Sequence, residues 1–362
     1  MSWTTMVLRG VLIVSLVVWC GCPVSQSQDF PAPIREDHTL RTPREYFLYV
    51  PSTYDPDERW PLVVTCHGTR PYDDARPQAK EWAALAEGRG FIVAAPKLEG
   101  VRGDAGWFRT ADRQIELQLG DEAVILEIVS RVKAAYNVAD EQVFLTGWSA
   151  GGYAVLFTGL RNPDVFRALA IRQGNFDEDY LSPVIGYLDR QQPILIFFGA
   201  TDLLKSQAEK CIQWLRSRRM NVHRREIAGG HRRRPDIAYG FFRKQAREPW
   251  VLVDAIRAYE GQPLAIQARA RCHPTAAACD WWFGDGGTGR GTDVVHAYAQ
   301  PGTYTVTMQA VMPGGGKVLR RLEVTVPPAL IGVEPRPAAQ PGASGAGLPL
   351  TAGACLAARI GP

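Results

Sequence analysis

Residues 147–152 have the sequence Gly-Trp-Ser-Ala-Gly-Gly and lie between a predicted strand, residues 142–146, and a predicted helix, residues 153–159. A serine on such a tight strand-to-helix turn needs small neighbours, and the glycines supply them. The turn projects the hydroxyl at the carboxyl edge of a sheet, and the amide of the next residue points at the same place. The pattern therefore predicts that Ser149 is a nucleophile and that the amide of Ala150 is one oxyanion donor.

Short apolar runs alternate with helix-length amphipathic segments from about residue 33 to residue 260. This alternation predicts an α/β fold, in which a largely parallel sheet is covered by helices on both faces. The main predicted strands are residues 45–50, 62–66, 91–95, 142–146, 168–171, 194–198 and 222–227, and the longer predicted helices are residues 77–89, 121–136 and a closing helix at 250–259.

An acid and a histidine follow the serine in the chain order that a triad on this kind of fold requires. Asp202 comes directly after the buried strand at residues 194–198, and His231 follows the next strand behind two glycines. A carboxylate at the end of its strand orients an imidazole, which then serves as the general base. Asp177 and Asp179, after the strand at residues 168–171, are the alternative acids.

Four further residues are candidates for the same site. The amide of Thr69, after the strand at residues 62–66, is the expected second oxyanion donor. Trp107, in a long loop before the helix at residues 121–136, is a candidate pocket-lining residue together with His67 and Trp148, although such aromatic residues equally often serve local packing. The arginine-rich stretch around the histidine is either a solvated surface or a means of attracting an anionic substrate.

The texture of the sequence changes past residue 262. Short predicted strands broken by glycine and proline indicate an all-β sandwich at residues 263–327. Residues 328–362 are dominated by proline, alanine and glycine and are predicted to be disordered. Within the sandwich, Cys272 and Cys279 form either a local disulfide or two free thiols.

The amino terminus has Arg9 followed by an apolar stretch and then small polar residues, the pattern of a secretory signal peptide, predicted here as residues 1–27. Cys22 after a glycine leaves a lipoprotein as the alternative form of this exported protein. With 41 Lys and Arg against 37 Asp and Glu, the net charge of +4 is too small to indicate a nucleic-acid binder. Downstream of the leader no apolar run is long enough to cross a bilayer.

The sequence predicts neither a metal site nor a cofactor. No zinc-ligand spacing occurs among the cysteines and histidines. Residues 284–289 satisfy the glycine spacing of a dinucleotide-binding loop, but a strand and not a helix follows them. Asp280, Asp285 and Asp293 are candidate calcium ligands, although sandwich turns are often rich in aspartate without a metal.

Two resemblances follow from longer stretches. The sequences Leu-Val-Val-Thr-Cys-His-Gly at residues 62–68, Val-Phe-Leu-Thr-Gly-Trp-Ser-Ala-Gly-Gly at 143–152 and Asn-Pro-Asp-Val-Phe at 162–166 resemble secreted α/β-hydrolase esterases of the polyhydroxybutyrate-depolymerase and feruloyl-esterase-like family. This resemblance implies the α/β-hydrolase fold, a Ser–His–Asp triad and hydrolysis of carboxylic esters. Thr69 stands where the family usually has a longer polar loop with a cysteine.

The second resemblance is to the PKD domain, an immunoglobulin-like sandwich appended to many secreted enzymes. It is carried by Asp-Trp-Trp-Phe-Gly-Asp-Gly at residues 280–286, His-Ala-Tyr at 296–298 and Pro-Gly-Thr-Tyr-Thr-Val-Thr at 301–307. Trp282 departs from the family pattern, in which aspartate is usual.

Together these features predict an exported serine esterase with a triad of Ser149, Asp202 and His231. The alternatives are a peptidase of the prolyl-oligopeptidase type and a non-catalytic envelope-binding protein on a hydrolase scaffold. Such peptidases generally carry a propeller domain ahead of the hydrolase, for which the sequence has no room. The sequence leaves open which ester is cleaved, whether the substrate is polymeric, and whether the sandwich contacts a polysaccharide or a protein.

Overall fold

The computed structural model describes residues 30–101 and 110–327. The predicted leader, the predicted disordered tail and Trp107 lie outside these ranges. In chain order the first part consists of β1 (Arg35–His38), β2 (Glu45–Tyr49), β3 (Trp60–Cys66), α1 (Ala75–Arg89), β4 (Ile92–Pro96), α2 (Ala111–Ala135), β5 (Val138–Trp148), α3 (Gly151–Arg161), β6 (Ala168–Arg172), a 3₁₀ segment (Glu178–Tyr187), β7 (Ile194–Gly199), α4 (Lys205–Ser217), β8 (Val222–Ile227) and α5 (Pro235–Arg247).

Strands β1 to β8 form one sheet in the order β1-β2-β4-β3-β5-β6-β7-β8. β1 and β2 pair antiparallel and β2 is antiparallel to β4, while every pair from β4 through β8 is parallel. The predicted α/β-hydrolase sheet, mostly parallel with crossover helices, is therefore confirmed. The carboxyl ends of β3, β5, β6, β7 and β8 meet at one edge, and the loops that leave them carry the candidate site.

Helices cover both faces of this sheet, as the alternation of side chains along β2 illustrates. Phe47 packs with Ala75 and Ala79 of α1. Its neighbour Leu48 belongs to the larger cluster that includes Val124 of α2 and Val155 of α3. Successive residues of a strand face opposite sides of the sheet, so α1 lies on one face and α2 and α3 on the other.

The remaining strands are β9 (Trp250–Tyr259), β10 (Gln262–His273), β11 (Ala278–Trp282), β12 (Thr288–Arg290), β13 (Asp293–Ala297), β14 (Gly302–Val311) and β15 (Lys317–Val326). They form two antiparallel sheets, β13-β10-β9 and β12-β11-β14-β15. Residues of both sheets share one core, which includes Ile266 from the first and Trp281 and Met308 from the second. This is the predicted sandwich.

The prediction of a closing helix at residues 250–259 is wrong. These residues form β9, whose partner is β10 of the sandwich. The chain passes instead from α5, which ends at Arg247, directly into the sandwich. The run Trp-Val-Leu-Val at the start of β9 is rich in the β-branched and aromatic residues that suit a half-buried strand. The first strand of the sandwich therefore precedes the domain boundary, which the sequence predicted just after residue 260.

The sandwich contacts the part of the chain that precedes it through polar groups. Arg320 of β15 is mostly buried and places Nη1 2.9 Å from Asp189 Oδ1, beyond the 3₁₀ segment. Arg271 of β10 donates from Nη2 to the carbonyl oxygen of Asp164 at 3.0 Å. Buried or half-buried arginine contacts of this kind fix a docking geometry more than they add stability.

Each of the three aspartates considered as calcium ligands has a basic side chain as its partner. Asp280 pairs with Arg290 at 3.0 Å, Asp285 with His296 at 2.8 Å and Asp293 with Arg269 at 2.9 Å. Within the described residues, no group of three or more His, Cys, Asp or Glu side chains is arranged to hold a metal ion. Nor is any helix in residues 30–101 and 110–327 long and apolar enough to cross a membrane.

Candidate active site

Ser149 stands on the turn between β5 and α3. Its φ of +54° lies in the left-handed region, which non-glycine residues adopt only under constraint. Its amide donates to the carbonyl oxygen of Arg172 at 3.1 Å, and its own carbonyl oxygen accepts from the amide of Gly152 at 2.9 Å. A Cβ at Gly147 would lie 2.3 Å from the carbonyl oxygen of Gly151. Gly147 is therefore required by the tightness of the turn, as predicted, whereas Gly151 is required by the close approach of β3, since its Cβ would lie 2.6 Å from the carbonyl oxygen of Cys66.

Asp202 and His231 are brought together by the loops that follow β7 and β8. His231 Nδ1 lies 3.0 Å from Asp202 Oδ1, and that oxygen also accepts from the amide of Leu204 at 2.8 Å. The Asp202 side chain is fully buried, whereas that of His231 is 20% exposed. A Cβ at Gly199 would lie 2.2 Å from the carbonyl oxygen of Gly229, so the two loops touch backbone to backbone. The result is an accessible imidazole whose Nδ1 faces a buried carboxylate.

The His231 loop lies against the Ser149 turn. The His231 ring is 4.7 Å from the indole of Trp148, centroid to centroid, with the rings tilted by 35°. Gln173, at the end of β6, donates from Nε2 to the carbonyl oxygen of Gly230 at 3.0 Å. Since Trp148 directly precedes the serine, these contacts place the imidazole beside the turn that carries Ser149.

The two oxyanion candidates lie on adjacent elements. Ala150 is the capping residue at the amino terminus of α3, where backbone amides point outward and favour negative charge. In the loop after β3, the amide of Gly68 is engaged, because it donates to Asp73 Oδ2 at 2.7 Å. The amide of Thr69 is the next donor along that loop, and the Thr69 carbonyl oxygen accepts from the amide of Asp73 at 3.0 Å.

His67 does not suit the substrate-binding role expected of it. The side chain is fully buried, and both ring nitrogens are used by the backbone. Nδ1 lies 2.7 Å from the carbonyl oxygen of Gly68, and Nε2 accepts from the amide of Leu98 at 2.9 Å. Burial lowers the pKa of the imidazole and so favours its neutral form. His67 instead joins the loops that follow β3 and β4.

Trp148 lies between protein loops. Besides its contact with His231, it packs on Gly68, where an added Cβ would come within 2.9 Å of the indole. The Arg233 guanidinium carbon lies 5.0 Å from the Trp148 ring centroid. The indole therefore packs between the loops of the site. The sequence motif did not distinguish this position from one in the wall of a substrate pocket.

The alternative acids lie in a different setting. Asp177 caps the 3₁₀ segment, and its Oδ1 accepts from the amide of Asp179 at 3.1 Å. Capping a short helical segment is a sufficient local role for an aspartate. Of the candidate acids, Asp202 has the histidine contact.

A buried polar network beneath the loops escaped the sequence analysis. Arg172, at the end of β6, is fully buried and donates to Thr65 Oγ1 at 3.0 Å, Thr146 Oγ1 at 3.1 Å and Gln78 Oε1 at 2.7 Å. Burial lowers the pKa of this guanidinium to about 10, against the opposing effect of the carboxylate of Glu81. The sequence feature that could have revealed this network is an arginine directly after the apolar residues 168–171, since a charged group inside a parallel sheet must be paired.

Two family models match the chain. Residues 44–189 match the family described as esterase PHB depolymerase, and residues 248–326 match the PKD domain. Both family resemblances are confirmed. The PKD match begins at Glu248, which agrees with the assignment of β9 to the sandwich.

Proteins similar to the chain include several esterases. Poly(3-hydroxyalkanoate) depolymerase C of Paucimonas lemoignei is 30% identical over 129 residues, which are 35% of this chain and 30% of that protein. The bifunctional acetylxylan esterase/xylanase XynS20E of Neocallimastix patriciarum is 28% identical over 109 residues, 30% of this chain and 15% of that protein. A CE1 ferulic acid esterase structure from Anaeromyces mucronatus is 16% identical, covers 61% of this chain and 92% of its own, and has a TM-score of 0.46. The chain thus spans less than a third of the curated relatives it matches.

Proposed function

We propose that the protein is a serine esterase that hydrolyses carboxylic esters through an acyl-enzyme. The observation that carries the proposal is the Asp202–His231 hydrogen bond beside a serine held at positive φ on a strand-to-helix turn. A serine on such a turn, a histidine next to it and a buried acid behind the histidine are the three parts of a nucleophilic triad.

The reaction follows from these positions. Because His231 Nδ1 faces Asp202, its Nε2 is the nitrogen left to take the proton from the hydroxyl of Ser149 as that oxygen attacks the ester carbonyl. The carbonyl oxygen becomes an oxyanion, for which the amides of Ala150 and Thr69 are the proposed donors. His231 then gives its proton to the departing alcohol, and an ester between Ser149 and the acyl group remains. Water attacks this ester by the same route and frees the serine.

Asp202 stabilises the imidazolium that forms in both steps. Its side chain is fully buried, so little water screens its charge from the ring 3.0 Å away. The amide of Leu204 donates to the same carboxylate oxygen and so fixes its position relative to the imidazole ring. We propose that this arrangement keeps the proton on Nδ1 and leaves Nε2 free to act as base.

For the substrate we propose an ester of a biopolymer, either a polyester or an acylated polysaccharide. This rests on the matched esterase family and on relatives named as a polyhydroxyalkanoate depolymerase and an acetylxylan esterase. A sandwich attached to the catalytic part suits a substrate too large to enter a closed pocket. We also propose that the protein acts outside the cytoplasm, on the strength of the predicted signal peptide.

A fluorophosphonate probe, which reacts with activated serines, tests the class of enzyme. The unsubstituted protein should be labelled, while Ser149→Ala and His231→Ala should lose labelling and about a thousandfold or more of the turnover of a nitrophenyl ester. Ser217→Ala is the matched control, because Ser217 lies at the exposed end of α4 and should change neither readout. Labelling that persists in Ser149→Ala would refute the assignment of the nucleophile.

A panel of substrates then identifies the ester. It should contain short-chain nitrophenyl esters, acetylated and feruloylated sugars, poly(3-hydroxybutyrate) and a peptide anilide, all assayed with the unsubstituted protein and with Ser149→Ala. We expect Ser149-dependent hydrolysis of the esters. Faster cleavage of the peptide than of every ester would favour a peptidase instead, and no cleavage or labelling at all would favour a binding protein.

A further inference from the structure

The carboxylate of Asp73 ties together the loop that follows β3. Oδ2 accepts from the amide of Gly68 and from Nε2 of Gln78, both at 2.7 Å. Oδ1 accepts from Nη2 of Arg233 at 2.5 Å. The Asp73 side chain is fully buried, and both of its oxygens are bonded. The path of this loop, and with it the direction of the Thr69 amide, therefore depends on one buried charge.

The partner of that charge comes from the histidine loop. Arg233 follows His231 by two residues and is only partly exposed. Its guanidinium carbon lies 5.0 Å from the centroid of Trp148, and its carbonyl oxygen accepts from Nη1 of Arg172 at 3.3 Å. The side chain and the backbone of Arg233 are thus held by separate contacts.

We propose that Asp73 and Arg233 form a positioning pair, which couples the loop bearing the Thr69 oxyanion donor to the loop bearing His231. The pair joins positions 160 residues apart in the sequence. This inference rests on the proposed function, because it assigns the pair a task in the same reaction. Neither side chain touches the reacting atoms; the pair acts through the groups on either side of it.

The physical reason lies in what a buried carboxylate requires. An ionised carboxylate without water is strongly unfavourable unless a cation and hydrogen-bond donors compensate it. Gly68 and Gln78 supply two neutral donors, and Arg233 supplies the cation at hydrogen-bond distance. Without the guanidinium, Asp73 gains either a proton or water, and both changes alter the bonds that hold the Gly68 amide, so we expect the adjoining Thr69 amide to move.

A shift of this kind affects the transition state more than substrate binding. The oxyanion exists only after the serine has attacked, so a displaced donor lowers kcat and leaves KM nearly unchanged. A displacement of about 1 Å costs on the order of 100-fold in rate, and loss of an oxyanion donor costs about 100- to 1000-fold. A pair that serves folding alone predicts the opposite pattern, with reduced thermal stability and a normal kcat for the molecules that remain folded.

The test compares Arg233→Gln, Arg233→Lys and Asp73→Asn with the control Arg234→Gln. Arg234 is adjacent in sequence and also pairs with an aspartate, Asp236 at 2.7 Å, but both members of that pair are half-exposed. The measurements are kcat and KM for a soluble nitrophenyl ester, the rate constant of fluorophosphonate labelling, and the thermal unfolding midpoint.

We expect Arg233→Gln and Asp73→Asn to lower kcat by about 10- to 100-fold with KM within about threefold, and to slow labelling by a similar factor. Labelling should still go to completion, which shows that the nucleophile remains in place. Arg233→Lys keeps the cation and should recover part of the loss, so it tests the pair even if Arg233→Gln does not fold. The control should stay within about twofold of the unsubstituted protein.

Three results would overturn the inference. The first is a kcat within about twofold of normal in Arg233→Gln, Arg233→Lys and Asp73→Asn. The second is an equal loss in Arg234→Gln, which would point to a general effect of charge on this surface. The third is a fall of the unfolding midpoint without a fall of kcat. If the unsubstituted protein itself resists the fluorophosphonate, the proposed function fails and the inference with it; normal labelling with unaffected variants refutes the inference alone.

Discussion

Replacing Asp202 with asparagine removes one negative charge beside His231 while keeping the shape of the side chain. The amide oxygen can stay where Oδ1 is, because the backbone amide of Leu204 donates to that position at 2.8 Å. The same oxygen then faces His231 Nδ1 at 3.0 Å and can only accept from it. The new NH2 group then takes the place of Oδ2, which is buried and has no hydrogen-bond partner in the described part of the chain. The tautomer of the histidine is therefore preserved, and the loss is confined to the charge.

The size of that loss follows from the distance. With the imidazolium and carboxylate charges about 4 Å apart and an effective dielectric constant of about 20, their interaction is about 4 kcal/mol. At about 1.4 kcal/mol for each factor of ten, this lowers kcat about 1000-fold in Asp202→Asn. The free energy of unfolding should change by no more than about 2 kcal/mol, the cost of one poorly satisfied buried polar group.

The assay is steady-state hydrolysis of a soluble nitrophenyl ester at neutral pH, with urea unfolding of the same preparations to verify folding. Asp177→Asn is the matched control, because Asp177 is the alternative acid and its carboxylate caps a 3₁₀ segment. It should retain normal kcat. If Asp202→Asn stays within about tenfold of the unsubstituted protein while Asp177→Asn loses about 1000-fold, the acid is Asp177 and the reasoning above is refuted.

Gly147→Ala should destabilise the fold by more than about 3 kcal/mol in urea unfolding, because its Cβ would lie 2.3 Å from the carbonyl oxygen of Gly151 and the backbone would have to shift. A loss below about 1 kcal/mol, roughly the cost of an ordinary surface change, would contradict this. The Sγ atoms of Cys272 and Cys279 lie 3.8 Å apart, so exchange with oxidised glutathione should form a disulfide, seen by mass spectrometry as the loss of two hydrogens. The reaction should be slow, since burial raises the pKa of Cys272 to about 12. Persistence of both thiols would contradict this prediction. Burial raises the pKa of Asp121 from 3.8 to about 6, so its contribution to stability is greatest below pH 3.8 and is lost as the pH rises through about 6. Urea unfolding across that range should show the loss of stability, and Asp121→Asn should abolish the share of the loss that comes from Asp121. A chain truncated after Glu248 should keep its turnover of small esters, because every proposed catalytic residue precedes the cut; inactivity of a folded truncation would show that the sandwich belongs to the catalytic unit.

The sequence located the secondary structure best where the pattern was strictly local. The strands that became β3, β4, β5, β6 and β7 were all predicted, because a buried parallel strand is a short apolar run between polar loops. The strand that became β8 was predicted as well, although it has the polar sequence Val-His-Arg-Arg-Glu-Ile and is mostly exposed. Helix α2 begins at Ala111, ten residues before the predicted start. Its first turns bury Gln114 and Gln118, and two buried glutamines conceal the apolar face by which an amphipathic helix is recognised.

The error at β9 has a different origin. Residues 250–259 contain apolar positions that fit a helix as well as a strand, and an α/β domain commonly closes with a helix. These residues form a strand because β10, the neighbouring strand of the sandwich, pairs with them along most of their length. The periodicity of a segment carries no information about a strand-pairing partner later in the chain.

For the site, the sequence determined which residues stand at the ends of strands. Ser149, Asp202 and His231 each follow a recognisable strand, and parallel strands deliver their carboxyl ends to one edge whatever the rest of the chain does. Only the tertiary structure decided that His67 is buried with both nitrogens occupied and that Asp73 meets Arg233. The physical reason is that burial and ion pairing depend on loops from distant parts of the chain, whereas a strand and the turn that ends it are specified by adjacent residues.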